Sequence, residues 1–453
     1  MQALARILVD RGWRVRGSDA SSDACATLAE AGLEAVLGHR AEHLDPAVHL
    51  LIHSTAIDSW NPELLQAAQL GIPVLSYPEV LGRLMVGPHR LAVAGTHGKS
   101  TITAMAARIL TIAGCDPRAI FGATAIPEKA ASPVDPPRKR RRAAAQAPVL
   151  VEACEYQGSF LKLRPTTALI SNIERDHFDC YPTAAALLEA FAQFVSLLPA
   201  DGLLIIPAAD SAARRTAVAA NCRHETFGCH AECDWWAREI VSYAGRYAFS
   251  FCYRGKRLGR VPLGVVGRHN VENALAAAAL ATSAGATAED VILGLSSFAG
   301  LERRLQYLGQ RQGQAWWDDY AHHPTAVTAA IDTLREIYPQ ARIAVVFEPH
   351  QISRTVELMD DFAAALAKVD IVALTEIFRA REAPIGGEEV LAELARRVRH
   401  CGGNVLDCHA LVRIPEALLA ACPPPDVVVT MGAGQVGKLS RIGSHFHAPR
   451  NRL

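Results

Sequence analysis

The 453-residue sequence has no excess of charge of either sign: lysine plus arginine and aspartate plus glutamate each number 46. Proteins that wrap nucleic acid or coat an anionic bilayer carry a basic field, so neither class is expected. Long hydrophobic runs are also missing. The longest, such as Leu275 to Ala281, are alanine-rich and far short of the roughly 20 residues a bilayer requires, so no membrane insertion is expected. No signal-peptide pattern opens the chain. The 11 cysteines lack the paired spacing of a metal finger: Cys229 and Cys233 come closest, and no second pair stands at the right distance. Such scattered thiols predict buried, reduced side chains in a cytoplasmic protein. What is present is an ordinary globular composition, half hydrophobic and a fifth charged, over a length that suits two or three domains.

The pattern along the chain is α/β throughout, and three domains are predicted. Residues 1–88 open with a helix over Gln2 to Arg11. Trp13 to Val15 then lead into Gly17-Ser18-Asp19, and a helix surrounds Cys25 to Ala31. A strand over His49 to His53 ends in Ser54-Thr55-Ala56, and Pro62 to Gln69 reads as helix. Strands separated by helices predict parallel βαβ units and a Rossmann-like N-terminal domain. Residues 89–300 predict a central P-loop ATPase domain with a mainly parallel sheet. Its strands are Leu91 to Ala94, Val149 to Val151, Ala168 to Ser171 and Leu203 to Ile206, with helices from Thr101 to about Ala113 and from Asn273 to Ala284. Residues 301–453 predict a second Rossmann-like domain. Its strands are Trp316 to Asp318, Ile343 to Phe347, Ile371 to Leu374 and Val427 to Thr430; its helices are Thr325 to Ile337, Val356 to Ala367 and Glu388 to Arg399. The basic run Arg138-Lys139-Arg140-Arg141-Arg142 lies in a proline- and alanine-rich stretch, and in a neutral protein it reads as a solvated surface loop.

The segment Gly95-Thr96-His97-Gly98-Lys99-Ser100-Thr101 follows an apolar strand and opens a helix, the context a phosphate loop requires. Glycines let backbone N–H groups approach phosphates, and the helix start adds its positive dipole end. Lys99 then reaches the outer phosphates and the Ser100 hydroxyl offers a magnesium ligand. A longer form of this motif has a glycine where Val93 stands, so the loop is a short variant. After the strand at Val149 to Val151 comes Glu152-Ala153-Cys154-Glu155-Tyr156. A carboxylate at the end of a parallel strand beside a phosphate loop suits Mg²⁺. Glu152 is the better candidate, and Glu155 reads equally well as an exposed turn residue. The next strand ends in Asn172-Ile173-Glu174-Arg175-Asp176-His177-Phe178-Asp179, where His177 and Asp176 are the foremost further ligand choices.

These motifs occur in one order, followed by Gly267-Arg268-His269-Asn270-Val271-Glu272-Asn273-Ala274, by Arg303-Arg304, by Asp318-Asp319-Tyr320-Ala321-His322-His323-Pro324, and by Glu348-Pro349-His350-Gln351-Ile352-Ser353-Arg354-Thr355. The series resembles the Mur ligase family, which builds the peptide of the bacterial cell-wall precursor. The resemblance implies one domain for a UDP-sugar, one for ATP and one for an amino acid. The His-His-Pro segment and the segment around Arg354 resemble most the branch that adds the first amino acid. For that branch, ATP phosphorylates the lactyl carboxylate of UDP-N-acetylmuramate, and the amine of L-alanine displaces phosphate from the acyl phosphate. By motif, Ser100, Glu152 and His177 are implied to hold Mg²⁺, Asn270 and Asn273 to lie near adenine, and Arg304 to approach the phosphates. Asp319 is implied near the ATP ribose or phosphate. His322, His323 and Arg354 are implied on the substrate side, and Ser18, Asp19 and Ser54, at strand ends of the first domain, are the candidate UDP-sugar contacts. A monomer or weak homodimer is expected. Apart from the motif series, Arg303 and Arg304 read as an exposed basic pair at a domain junction.

Members of the family begin with a strand and a glycine-rich turn ending in Gly-Met that cradles the UDP pyrophosphate. Here Met1 falls where that methionine stands. The strand and turn are therefore expected upstream, and the helix Gln2 to Arg11 presents Leu4, Ile7 and Leu8 to a strand this sequence does not contain. The sequence as written is expected to bind ATP well and the UDP-sugar poorly. The competing readings are a recycling ligase that adds a whole tripeptide, a folate-polyglutamate-type ligase, and a catalytically silent nucleotide-binding regulator. Intact Lys99, Ser100, Glu152 and His177 speak against the last.

Overall fold

A computed structural model describes residues 1–30, 32–127, 147–380, 382, 386–406 and 411–441; the basic run at Arg138 to Arg142 lies outside them. The chain folds as three α/β domains. The first comprises α1 (Gln2–Asp10), β1 (Arg16–Asp19), α2 (Ser22–Glu30), β2 (Glu34–Leu37), β3 (Leu51–His53), α3 (Pro62–Leu70), β4 (Val74–Ser76) and α4 (Tyr77–Leu84). Its strands are parallel, as the βαβ pattern predicts, but they form two separate two-stranded sheets, β1–β2 and β3–β4, rather than one. The apolar face of α1 nonetheless finds partners. Leu4 is buried in one cluster with Val80, Leu81, Leu84 and Met85 of the α4 region, and Ile7, Leu8, Ile52 and Leu75 pack against that cluster. Leu4 is thus covered, while Ile7 and Leu8 are only partly buried, so the apolar face of α1 is not left wholly without cover.

The central domain comprises β5 (Arg90–Ala94), α5 (Lys99–Ile112), β6 (Arg118–Ile120), β7 (Val149–Glu152), β8 (Thr167–Ile170), α6 (Ala184–Ser196), β9 (Leu203–Pro207), α7 (Ser211–Ala217), β10 (Arg223–Gly228), β11 (Trp235–Tyr243), β12 (Arg246–Tyr253), β13 (Lys256–Val266), α8 (His269–Ser283) and α9 (Ala288–Ser297). Its nine strands lie in the order β13-β12-β11-β10-β9-β8-β5-β7-β6. The seven from β11 to β6 pair in parallel, and β11–β12 and β12–β13 are antiparallel. Both hairpins close through two-residue loops with positive φ at each position, Ala244 (48°) with Gly245 (72°) and Arg254 (46°) with Gly255 (78°). That is the geometry whose twist matches the flanking strands. The alanine-rich run of α8 is wholly buried, Ala274 to Ala281 each at most 1% exposed, and packs between the sheet and α5.

The C-terminal domain comprises β14 (Gln306–Arg311), β15 (Gln314–Asp319), α10 (Pro324–Ile337), β16 (Ile343–Phe347), α11 (Ile352–Glu357), α12 (Met359–Leu366), β17 (Ile371–Leu374), α13 (Gly387–His400), β18 (Val405–Leu406), α14 (Ile414–Ala420) and β19 (Val427–Met431). Its sheet runs β14-β15-β19-β16-β17-β18, parallel except for β14. The single helix expected over Val356 to Ala367 is instead two, broken at Leu358, where ψ turns to 24° with φ at −113°. Among the described cysteines only Cys115, Cys233 and Cys252 are buried, while Cys154, Cys401 and Cys422 are exposed, so the expectation of buried thiols holds for a minority. No described helix is long and apolar enough to cross a membrane.

The helix that carries the phosphate loop is fixed by close packing. A Cβ added at Gly294 of α9 would stand 2.7 Å from Ile109 Cα and 2.8 Å from its Cγ1, so α9 lies directly on the backbone of α5. Alanine in place of a helical glycine normally stabilises by about 0.5–1 kcal/mol, whereas overpacking costs about 1–3 kcal/mol. Overpacking should win here: Gly294→Ala should lower the urea unfolding midpoint. A raised midpoint would mean that α5 and α9 do not touch in solution.

Candidate active site

The turn between β5 and α5 is shaped by its neighbours. Gly95, at φ 126°, has Ser171 N and Asn172 O 2.9 Å from where a Cβ would lie, so no larger residue fits. Thr96 N donates to Asn172 O (3.0 Å), His97 N donates to Asn172 Oδ1 (2.9 Å), and Ser171 Oγ donates to His97 O (2.5 Å). Asn273 Oδ1 closes on Gly98 from α8, 2.6 Å from the position of a Cβ, and is itself oriented by the Asn273 amide donating to Asn270 Oδ1 (2.9 Å). Thus Asn273 meets the loop from a stretch far along the chain, with Asn270 behind it. Thr101 is half-buried in the first turn of α5.

Lys99 is folded over this loop. Its ammonium donates to Gly95 O and to Thr96 O (3.1 Å), and it lies 3.0 and 2.9 Å from the two oxygens of Glu155. Burial, the largest single effect, would lower the pKa of Lys99, but Glu155, Cys154 and Glu152 together outweigh it and the net shift is upward. Burial likewise pushes Glu155 up, and Lys99 and His177 together carry it below the ordinary carboxylate range. Glu155 is 2% exposed, which overturns its reading as an exposed turn residue. Its Oε1 is 3.2 Å from His177 Nε2, and its backbone carbonyl accepts the Tyr181 hydroxyl (2.5 Å). Glu152 holds the Ser100 hydroxyl at 2.8 Å and the Gly122 N–H at 2.8 Å. Two pairs thus stand beside the loop, Ser100 with Glu152 and Glu155 with His177. Hard oxygens and an imidazole are the donor types that suit Mg²⁺, and Glu155 Oε2 is met by the Lys99 ammonium at 2.9 Å.

The C-terminal domain closes the other side. Arg354, 1% exposed, sets its Nε and Nη2 each 2.7 Å from Asp176 Oδ1, and its Nη1 lies 2.6 Å from His350 Nδ1. In this arrangement the guanidinium expected to face substrate is engaged by Asp176, whose pKa it drives well below the ordinary value against the effect of burial. Half-buried His322 donates from Nδ1 to Tyr320 O (2.7 Å), which leaves Nε2 as its lone-pair nitrogen. Burial and Arg354 hold His322 well below the usual imidazole value, and His350 at about 4. Asp319 accepts Leu305 N (2.6 Å) and Ala321 N (2.7 Å), and burial lifts it to about 6. Arg303 and Arg304 both lie over the Tyr320 ring, 5.2 and 4.9 Å from its centroid, and both are half-buried, so the exposed-pair reading fails.

Glu174 had no role assigned from sequence; its carboxylate lies between His97 and Thr325, on two different domains. In the first domain Ser18 Oγ donates to Glu63 Oε2 (2.7 Å), Asp19 accepts Ser21 N (2.9 Å), and Ser54 Oγ accepts Ala56 N (3.2 Å), so all three are held by local contacts at strand ends.

A buried pair bridging two domains is costly to break from one side, by about 3–5 kcal/mol, because the remaining charge is left unpaired. Arg354→Leu should lose stability on that scale in chemical denaturation, and adding Asp176→Leu should recover most of it. A double variant no more stable than the single one would show that the two groups do not pair.

Family models described as Mur ligase family, catalytic domain; Mur ligase middle domain; and Mur ligase, glutamate ligase domain match residues 1–88, 93–281 and 303–434. The chain is 37% identical over 451 residues to the UDP-N-acetylmuramate--L-alanine ligase of Nitratidesulfovibrio vulgaris, covering 99% of this chain and 96% of that protein. With the protein of the same name from Aquifex aeolicus it shares 34% identity, over 97% and 93% of the two lengths. In fold it is similar to the UDP-N-acetylmuramate-alanine ligase of Thermotoga maritima (TM-score 0.75, 24% identity, 97% and 95% covered). It is similar in the same way to a murein peptide ligase of Psychrobacter arcticus (TM-score 0.71, 24% identity, 97% and 95% covered).

Proposed function

The chain belongs to the Mur ligase family, and we propose that it joins L-alanine to the lactyl carboxylate of UDP-N-acetylmuramate with hydrolysis of ATP, in the cytoplasm, as a step of peptidoglycan synthesis. The observation that carries this reading is the Lys99–Glu155–His177 cluster beside Ser100 and Glu152, in a chain similar over nearly its full length to ligases of that name.

A carboxylate oxygen attacks the γ-phosphorus and ADP leaves. The alanine nitrogen then attacks the acyl carbon, and the tetrahedral intermediate collapses to the amide and inorganic phosphate. The first step gathers negative charge on the transferring phosphoryl group, so positioned cations are its main requirement. Lys99 supplies one, exchanging Glu155 for phosphate oxygens, and Arg304 approaches from the junction beside Asp319. Ser100, Glu152, Glu155 and His177 would hold Mg²⁺, which when bound neutralises phosphoryl charge. Asn270 and Asn273 lie on the adenine side. His322 is kept neutral with its Nε2 lone pair available, the state needed to take a proton from the attacking amine. His323 and Arg354 lie on the amino-acid side, and Ser18, Asp19 and Ser54 on the UDP-sugar side.

Phosphate release from purified protein with ATP, UDP-N-acetylmuramate and a panel of amines tests the reading. Lys99→Ala should lower turnover by roughly 10²–10³-fold or more with the fold retained at reduced stability, since Glu155 loses its counter-ion; turnover near wild type would reduce Gly95 to Ser100 to a simple turn. L-Alanine should be the best amine, with glycine behind it by the roughly 10–200-fold that one methyl group gives. Use of a tripeptide with free alanine ignored would assign the recycling reaction instead.

A further inference from the structure

Three side chains able to ligate a metal converge at the seam between the central and C-terminal domains, sharing no residue with the Ser100–Glu152–Glu155–His177 group. They are His97 of the phosphate loop, Glu174 after β8, and His323 at the start of α10, and their ligand atoms all lie within 4.8 Å of one another. His97 Nε2 is 3.1 Å and His323 Nδ1 3.6 Å from the same oxygen, Glu174 Oε2. A tetrahedral Zn²⁺ with bonds of about 2.0–2.1 Å sets its ligand atoms about 3.4 Å apart, and the two measured separations bracket that value. The imidazole rings are 4.6 Å apart between centroids and tilted by 55°, so neither ring covers the other.

His323 Nε2 faces Arg175 O at 3.3 Å, so it carries the hydrogen and Nδ1 the lone pair. Nδ1, 3.6 Å from Glu174 Oε2, accepts the Thr325 N–H at 3.4 Å, a long contact that a metal ion at Nδ1 would replace. The outer contacts are those of a ligand sphere. The Arg175 carbonyl fixes the His323 tautomer, and the Thr325 hydroxyl donates to Glu174 Oε2 at 2.7 Å. Two imidazoles with one carboxylate and an open position suit Zn²⁺ and not Mg²⁺, which prefers oxygen.

We propose that His97, Glu174 and His323 form a transition-metal site, fitted to Zn²⁺, that clasps the C-terminal domain against the phosphate loop. Two ligands come from the central domain and one from the C-terminal domain, so the ion holds the seam closed. The inference goes beyond the ligase reading, and its test uses neither ATP, sugar nor amine, so either can fail alone.

The full-length protein, stripped of metal, is titrated with Co²⁺ alone and followed by visible absorption, where a tetrahedral nitrogen and oxygen site absorbs far more strongly than an octahedral oxygen site. One equivalent should bind, and one equivalent of Zn²⁺ should displace it. Glu174→Gln should weaken Co²⁺ binding at least tenfold and Glu155→Gln should change it less than twofold. His323→Asn serves as the second ligand variant should Glu174→Gln fail to fold, with the same tenfold loss expected. Absence of the band at ten equivalents, or a band that survives loss of a ligand, overturns the site. So does a band abolished by Glu155→Gln and kept by Glu174→Gln, which would place the ion beside Ser100.

Discussion

An ammonium held beneath the glycine turn between β5 and α5 needs a counter-ion, because an unpaired charge taken out of water costs several kcal/mol. Glu155 is that counter-ion for Lys99, at 2.9 Å, and much of the central domain serves to place it. Past β7 and just beyond Glu155 the chain turns through Gln157 and Gly158, both at positive φ. Tyr181 anchors the Glu155 carbonyl and His177 its carboxylate. His177 is itself at φ 53°, with its N–H on the Asp176 carboxylate. Strain at non-glycine residues of this kind is kept where surrounding contacts over-determine it.

Asp176 links this centre to the domain seam, because the same carboxylate that receives the His177 N–H also receives Arg354. The charge states at the seam all depend on pH in one sense. Asp176 is depressed, so its contribution is present above the ordinary carboxylate range and lost as pH falls through its folded value. His322 and His350 are depressed as well, so holding them neutral opposes docking progressively as pH falls below about 6.5. Acid therefore opposes docking from both sides of the seam. Near neutral pH the arrangement is one carboxylate, one guanidinium and two uncharged imidazoles, a closed set with no stranded charge.

The elements that were legible in the sequence are those whose signal is local. The strand–glycine–helix sequence at Leu91 to Thr101 gave the phosphate loop, and the alternation of apolar runs with helical segments gave the parallel sheets. What escaped was decided across distance. Whether Glu152 or Glu155 meets Lys99 depends on a turn whose two positive-φ residues have no sequence signature at Gln157. Glu174 acquires partners only when His323 and Thr325 arrive from another domain. The antiparallel extension β11–β13 also carries a local signal. Tyr247, Phe249 and Phe251 recur with a period of two, and Ala244-Gly245 and Arg254-Gly255 are two-residue turns of the type hairpins prefer.

The position of the site follows from strand order. In the central sheet β5 lies between β7 and β8, both of which come later in the chain. The connection leaving β5 runs toward β6 and the one leaving its neighbour β8 runs toward β9, in opposite directions, so a crevice opens at their carboxyl ends, where open α/β sheets bind ligands. The pairing Val93 with Glu152 and Ala94 with Ile170 sets the three strand ends level, so Gly95, Glu152 and Ser171 emerge side by side. The C-terminal sheet repeats the device. There β19 returns between β15 and β16, pairing Met431 with both Asp319 and Phe347. Asp319, Glu348 and Gly432 consequently share one edge, and Glu348 is fixed by the N–H groups of Gly434, Gln435 and Val436. Two crevices of the same origin are thus set face to face, and the residues that cross between them, Arg354 to Asp176 and His323 to Glu174, are those that leave these strand ends.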